Sequence, residues 1–210
     1  MDKLCFYIRA DRIMNGFPEK PSWKELFFRF LPDSIVPSPY LIIDYLRNMR
    51  IISERCGKKR DALKLYHKYR FNTLGRKLGF SIGCNVFGYG LVIPHYGLIV
   101  VNGNNEAGNF CVLHTGTCIA GGGKKIGNSL YMSAGSKISG EVTLGNNVTL
   151  AINSVCISGS TDDELLVGIP AKCKKHTVPW YIRDGIKYKK RHEKVMNLFV
   201  DADINDLGTI

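Results

Sequence analysis

The chain has 210 residues, which suits one domain of generous size or one domain with an appendage. With 29 basic and 18 acidic side chains its formal net charge is +11, and a hydrophobic content of 45% supports a packed core and excludes wholesale disorder. No run of about 18 apolar residues is present, the start has no apolar leader stretch, and the seven cysteines form no Cys-x-x-Cys pair, so membrane spans, secretion, a disulfide framework and a zinc ribbon are poor readings and a reduced, soluble, cytoplasmic protein is expected.

Composition divides the chain near Phe80. Residues 1–80 carry 17 basic and 8 acidic side chains, whereas residues 81–160 carry only Lys124, Lys125 and Lys137 against Glu106 and Glu141. Of the 22 glycines, 15 lie between 81 and 160. Three segments are expected: an N-terminal helical segment over 1–80, a central domain over 81–175, and a partly helical tail over 176–210.

The first segment reads as helical. Pro21-Ser22-Trp23 opens a run through Phe30, and Pro39 opens a second that continues to about Cys56. Asp61 is placed to cap a third, with Leu63, Tyr66 and Leu74 on one face. Lys58, Lys59, Arg60, Lys64, Lys68, Arg70, Arg76 and Lys77 cluster there. Such a cluster is either a solvated helix face or a dock for an anionic partner, such as a membrane surface or an acidic glycan. No nucleic-acid motif accompanies the charge, so nucleic acid is not an expected partner.

The middle carries a six-residue period. Apolar or small residues recur at Val101, Ala107, Leu113 and Ile119; after a slip of one residue the series resumes at Ile126, Met132, Ile138, Leu144, Leu150 and Cys156. Six fits neither the 3.6 of a helix nor the 2.0 of an alternating strand. Its physical solution is a coil of short parallel strands, three per turn of about eighteen residues, with the recurring side chains stacked inward. Asn128, Asn146 and Asn147 suit its turns, because asparagine tolerates unusual backbone angles. Upstream, the interval from Ile93 to Val101 implies a two-residue bulge at His95-Tyr96-Gly97, which puts position 115 above position 95 and His114 beside it.

The run Val86-Phe87-Gly88-Tyr89-Gly90-Leu91-Val92-Ile93-Pro94-His95-Tyr96-Gly97, the hexapeptide coils, Leu113-His114, Gly121-Gly122-Gly123 and the closing Val167-Gly168-Ile169-Pro170-Ala171-Lys172 occur in a telling order. Together they resemble the hexapeptide-repeat acyltransferases, in particular the serine acetyltransferase-like branch that includes O-acetyltransferases of surface-polysaccharide clusters. The resemblance covers about residues 70–175. It implies a mainly β fold, a left-handed parallel β-helix, assembled as a homotrimer with acetyl-CoA bound between neighbouring coils as acyl donor. It also implies that His95 is the catalytic general base, which suits an imidazole titrating near neutrality, and that His114 contacts the acceptor or handles a proton.

By the same resemblance Gly121 and Gly122 let the thioester approach the backbone, Ala134 and Ile152 touch coenzyme A, and Lys172 and Lys175 meet its phosphates. Tyr89 and Tyr96 are expected to give the acceptor a flat surface beside His95. His67, His176 and His192 read as surface residues. With almost no carboxylates in the coils, no metal is expected.

The match departs from serine acetyltransferases proper at two places. Pro94 stands where that branch carries an aspartate facing the acceptor's ammonium group, and Gly123-Lys124-Lys125-Ile126 replaces a loop whose arginine reads the acceptor's carboxylate. Lys124 and Lys125 are partial substitutes for that arginine. The aspartate that supports the histidine from the preceding coil is missing near Ser81. A sugar or surface-polysaccharide hydroxyl is therefore the expected acceptor, with serine O-acetylation as the alternative and a non-enzymatic β-helix scaffold as the second alternative.

Overall fold

The structure, a computed structural model, describes residues 1–57 and 61–201. Lys58, Lys59 and Arg60 of the basic cluster lie outside the described residues, as does 202–210 of the tail.

Helices α1 (Lys3–Met14), α2 (Trp23–Phe28), α3 (Ser38–Glu54) and α4 (Ala62–Leu78) form the first segment. Each start has a local cause. Asp2 accepts from Cys5 N at 2.7 Å, Ser22 and Glu25 form a reciprocal capping box, Pro39 sits in the first turn of α3, and Asp61 accepts from Lys64 N at 3.0 Å. Helix α4 stops at Gly79, whose φ of 81° is left-handed. Its inward face is His67, Leu74, Gly75 and Leu78, while Leu63 and Tyr66 are exposed, so the expected apolar face is rotated. His67 is likewise buried rather than at the surface, because the Asn48 side chain supplies a partner for its Nδ1 at 2.7 Å.

From Phe80 the chain winds into a parallel β-helix of five turns. Its strands are β1 (Phe80–Ile82), β2 (Ile99–Val101), β3 (Glu106–Ala107), β4 (Val112–Leu113), β5 (Thr117–Ile119), β6 (Lys125–Ile126), β7 (Tyr131–Met132), β8 (Lys137–Ile138), β9 (Thr143–Leu144), β10 (Thr149–Leu150), β11 (Val155–Cys156) and β12 (Glu164–Gly168). From β2 to β11 every third strand pairs, and β1 and β12 add to the ends, giving three sheets: β1-β2-β5-β8-β11, β3-β6-β9, and β4-β7-β10-β12. Strand β13 (Ala171–His176) closes the third sheet antiparallel to β12.

Register reproduces the period and both of its irregularities. Lys125 pairs with Thr143 and Tyr131 with Thr149, a regular turn. Glu106 pairs with Lys125, one residue longer, across the Gly121–Gly123 corner. Val92 pairs with Val112, two longer, across the bulge at residues 95–97. All ten recurring positions from Val101 to Cys156 are buried in one continuous core. Burying each Leu, Ile or Met there contributes about 1.5–3 kcal/mol, so a side chain of the wrong polarity in the column would be costly.

One corner is laced by side-chain oxygens of asparagine and aspartate. Asn109, Asn128, Asn146 and Asp162 each accept, through the side chain, the backbone N–H of the residue one turn earlier, at 2.7–3.0 Å. Asn147 takes a left-handed φ of 59° beside them, as expected of a turn asparagine.

The tail returns along the coil. Helix α5 (Trp180–Arg183) plants Trp180 in the interior, its Nε1 donating to Phe110 O at 2.7 Å. Helix α6 (Ile186–Asp201) then packs on α1. His192 is half-buried, not a surface residue, because its ring stacks on Tyr181 at 3.9 Å and lies 4.5 Å from Phe110. At the other junction, Asp11 of α1 and Arg50 of α3 form a buried pair against the first coil.

Candidate active site

The corner between the third and first sheets gathers most of the expected site residues. The Asn15 side chain clamps the strand that leads into it, donating to Leu91 O at 2.8 Å and accepting from Ile93 N at 3.1 Å. Pro94 then restricts the backbone, and His95 projects, exposed, at the rim of a cleft of about 340 Å³. That cleft lies between the coil and the helices, with Asn15, Ile42, Ile93, Tyr188 and Arg191 among its walls. Tyr96, 62% exposed, follows directly.

One coil on, His114 leaves β4 with its backbone N–H donating to Met132 O at 3.1 Å. Its ring is half-buried, and Nε2 is 2.9 Å from the Tyr131 hydroxyl. Burial, and secondarily the proximity of His95, push the His114 pKa below the ordinary histidine value, against a weaker pull from Asp184. Burial, with Asp184 assisting, pushes the Tyr131 phenol up. Both groups are therefore neutral near pH 7, a state in which the phenol can donate to Nε2 and leave the imidazole proton on Nδ1.

Tyr131 was not legible as a site residue, because it is simply the outward neighbour of an inward-pointing methionine. Its importance comes from the tail: the Arg183 guanidinium lies 4.8 Å from its ring centroid and donates to Thr149 Oγ1 at 2.9 Å. The signal available in the sequence was its position, eighteen residues after Leu113, beside a histidine.

Ala134 and Ile152 lie on the same corner in successive coils, where Gly135 N donates to Thr115 O at 2.9 Å and Asn153 N to Ala134 O at 3.0 Å. A Cβ on Gly135 would sit 2.0 Å from Asn153 Oδ1, and φ there is +73°, so this corner requires glycine. Lys172 and Lys175 are exposed on β13, and Gly168 N at the hairpin end donates to Ser154 Oγ at 3.1 Å, which ties the hairpin to the same corner.

Three expectations change. Tyr89 is not beside His95: its ring, 9% exposed, packs edge-on against Phe6, Tyr7 and Phe110, because α1 and α6 cover that face of the coil. Gly121 and Gly122 occupy the opposite end of the first sheet, stacked on the 102–105 turn, where Gly121 O accepts from Asn105 Nδ2 at 2.8 Å. Within one chain they therefore do not face His95. Lys124 does not reach toward an acceptor, because its side chain is buried and its Nζ donates to Ala120 O.

Among the described residues, no group of three or more His, Cys, Asp or Glu side chains is arranged to hold a metal ion. No helix there is long and apolar enough to cross a membrane.

His67, buried, and His114 and His192, half-buried, set a pH dependence. Burial lowers the pKa of His67, His114 and His192 alike. In the unfolded chain these groups protonate near pH 6.5. Below that value the unfolded state binds more protons than the folded state, so stability falls with pH until the folded values are passed. The thermal midpoint is expected to drop between about pH 7 and pH 5. His192→Phe, which keeps the stack on Tyr181 and removes the titration, should flatten that slope in a fluorimetric melt series; an unchanged slope would assign it to other groups.

A scan of family models finds no match to this chain, and neither does a search of curated proteins. Solved structures do match. A serine acetyltransferase from Neisseria gonorrhoeae is 20% identical with a TM-score of 0.55, over 83% of this chain and 65% of its own. One from Brucella abortus is 16% identical with a TM-score of 0.57, over 83% and 69%. A serine acetyltransferase in complex with CoA is 17% identical with a TM-score of 0.55, over 80% and 68%. This chain thus spans about two thirds of the length of these proteins, and what it shares with them is the fold: a parallel β-helix preceded by helices.

Proposed function

We propose that this chain is an acetyl-CoA-dependent O-acetyltransferase that acts on a hydroxyl of a sugar or surface-polysaccharide precursor. The observation that carries the reading is the pair His95 and His114, on consecutive coils of one corner, with His95 at the rim of a cleft. The fold likeness to serine acetyltransferases, one of them in complex with CoA, supports the same chemistry.

In this reading His95 takes the proton of the acceptor hydroxyl as its oxygen attacks the thioester carbonyl. The tetrahedral intermediate collapses with release of the CoA thiolate, and the imidazolium returns the proton to it. His114, neutral and fixed by Tyr131, orients the acceptor or carries the proton. Ala134 and Ile152 would flank the donor along the corner, with Lys172 and Lys175 near its phosphates. Gly121 and Gly122 could join this site only from a neighbouring subunit, which fits a homotrimer as the working assembly.

The acceptor choice rests on charge. Pro94 offers an ammonium group no counter-ion, and Lys124, one of the two lysines expected to meet a carboxylate, is buried. A neutral polyol needs hydrogen bonds and a flat surface, which Tyr96 and His114 supply. Serine is the second reading, favoured by the fold likeness to a serine acetyltransferase in complex with serine. Incubation with acetyl-CoA and a panel of glycans or L-serine, followed by mass spectrometry, separates the two. Transfer to a sugar hydroxyl is expected to exceed transfer to serine by at least about tenfold in kcat/KM, roughly 1.4 kcal/mol. Efficient serine acetylation with no glycan product would install the second reading, and absence of CoA binding would leave a scaffold.

A further inference from the structure

We propose that the outer face of α2 is a docking surface for an anionic lipid bilayer. Trp23, Leu26 and Phe27 of α2, and Phe30 in the turn that continues it with its N–H donating to Phe27 O at 3.0 Å, are all exposed, Trp23 at 73% and Phe30 at 86%. The opposite face of the same short helix is anchored. Glu25 is held by both terminal nitrogens of the Arg12 guanidinium at 2.7 and 2.9 Å, and Phe28 packs edge-on against Tyr40 with ring centroids 4.8 Å apart. The outward set is thus a presented face, not a frayed end.

Charge says what covers it. Lys20, Lys24 and Arg29 flank the aromatic stripe and are exposed, and Lys24 Nζ lies 5.7 Å from the Trp23 ring centroid. The nearby carboxylates are engaged inward: Glu19 with Arg9, Glu25 with Arg12, and Asp33 and Asp44 with Arg70. The face is therefore aromatic at its centre and uncompensated positive at its edge, the pattern that suits insertion of rings at the headgroup level of an anionic membrane. The four apolar side chains line neither of the clefts beside them. An aromatic face whose side chains stand outside both clefts suits a fluid interface better than a partner that needs a shaped pocket. The inference is independent of the proposed reaction.

The chain supplies its own probe. Of its two tryptophans, Trp23 is exposed and Trp180 is 2% exposed in the interior. Adding phosphatidylglycerol-containing vesicles to the full chain should shift Trp23 emission to the blue, and the protein should float with them. Binding should be at least about tenfold weaker to pure phosphatidylcholine and should fall steeply with added salt. Phe27→Ser with Phe30→Ser should abolish flotation while far-UV circular dichroism is unchanged, and Lys20→Glu with Lys24→Glu should do the same. Trp23→Phe should silence the emission shift yet retain most flotation, a control that a misfolded variant would fail.

Failure of the wild-type chain to float with either vesicle overturns the proposal. So does flotation that survives both double substitutions. A fall in molecular mass on Phe27→Ser with Phe30→Ser, without vesicle binding by the parent, would assign the face to a second copy. Binding of polyanionic RNA without binding of vesicles would assign it to nucleic acid.

Discussion

Replacing His95 by alanine is expected to lower turnover by roughly 100-fold or more, the scale of losing a general base. Affinity for coenzyme A should barely change, because His95 lies at the cleft rim and no donor contact is assigned to it. A hydroxyl is a poor nucleophile until its proton has somewhere to go, so the loss should fall on kcat. Single-turnover transfer from acetyl-CoA, with coenzyme A binding measured separately by calorimetry, reads the two effects apart. Activity that survives His95→Ala would make His114 the base, and its lowered pKa, caused first by burial, would suit that role. Weakened coenzyme A binding with turnover intact would move His95 into the donor site.

The repeat was legible because its physics is one-dimensional. An inward position every six residues has one solution, and the ten recurring positions from Val101 to Cys156 are all buried as that solution requires. The bulge before β2 was legible for the same reason, since a fixed period makes any insertion visible, and Val92 does pair with Val112. What lay outside the period was hidden. Tyr89 sits next to the glycines that define the first coil, yet its environment is set by Phe6 and Phe199, brought from both ends of the chain. Tyr131 gains its role from Arg183, 52 residues further on, in a tail with no repeat to index it. His67 and His192 were misread because a histidine's burial depends on which partner the tertiary fold delivers, and neither Asn48 nor Tyr181 is a local signal. The corner that holds His95 and His114 was thus readable, and the walls of the cleft around it were not, because α1, α3 and α6 build them.

Those walls depend on one buried ion pair, where a second large effect is expected. Arg50 of α3 donates to both Asp11 oxygens, from Nε at 2.8 Å and Nη2 at 3.0 Å, and also to Phe87 O and Gly88 O at 2.7 and 2.6 Å. Asp11 in turn accepts from Leu91 N at 2.9 Å. Burial pushes the Asp11 carboxyl up, and the Arg50 guanidinium and the backbone N–H groups of Leu91 and Gly90 pull it down. Two helices and the first coil are joined at these two side chains, one strand before His95. Arg50→Ala removes the cation, strands a buried carboxylate and leaves two carbonyls without their donor, so it should destabilise the chain by about 3–5 kcal/mol in urea unfolding. Asp11→Asn combined with Arg50→Met should recover part of that loss, because the penalty lies in the unpaired charge more than in the missing pair. Because Asn15, which clamps the segment entering the site, caps α1 one turn beyond Asp11, the single variant should also lose transfer activity under conditions where it remains folded. A loss below about 1 kcal/mol would mean that the apolar packing of α1 and α3 on the coil holds the cleft without the pair.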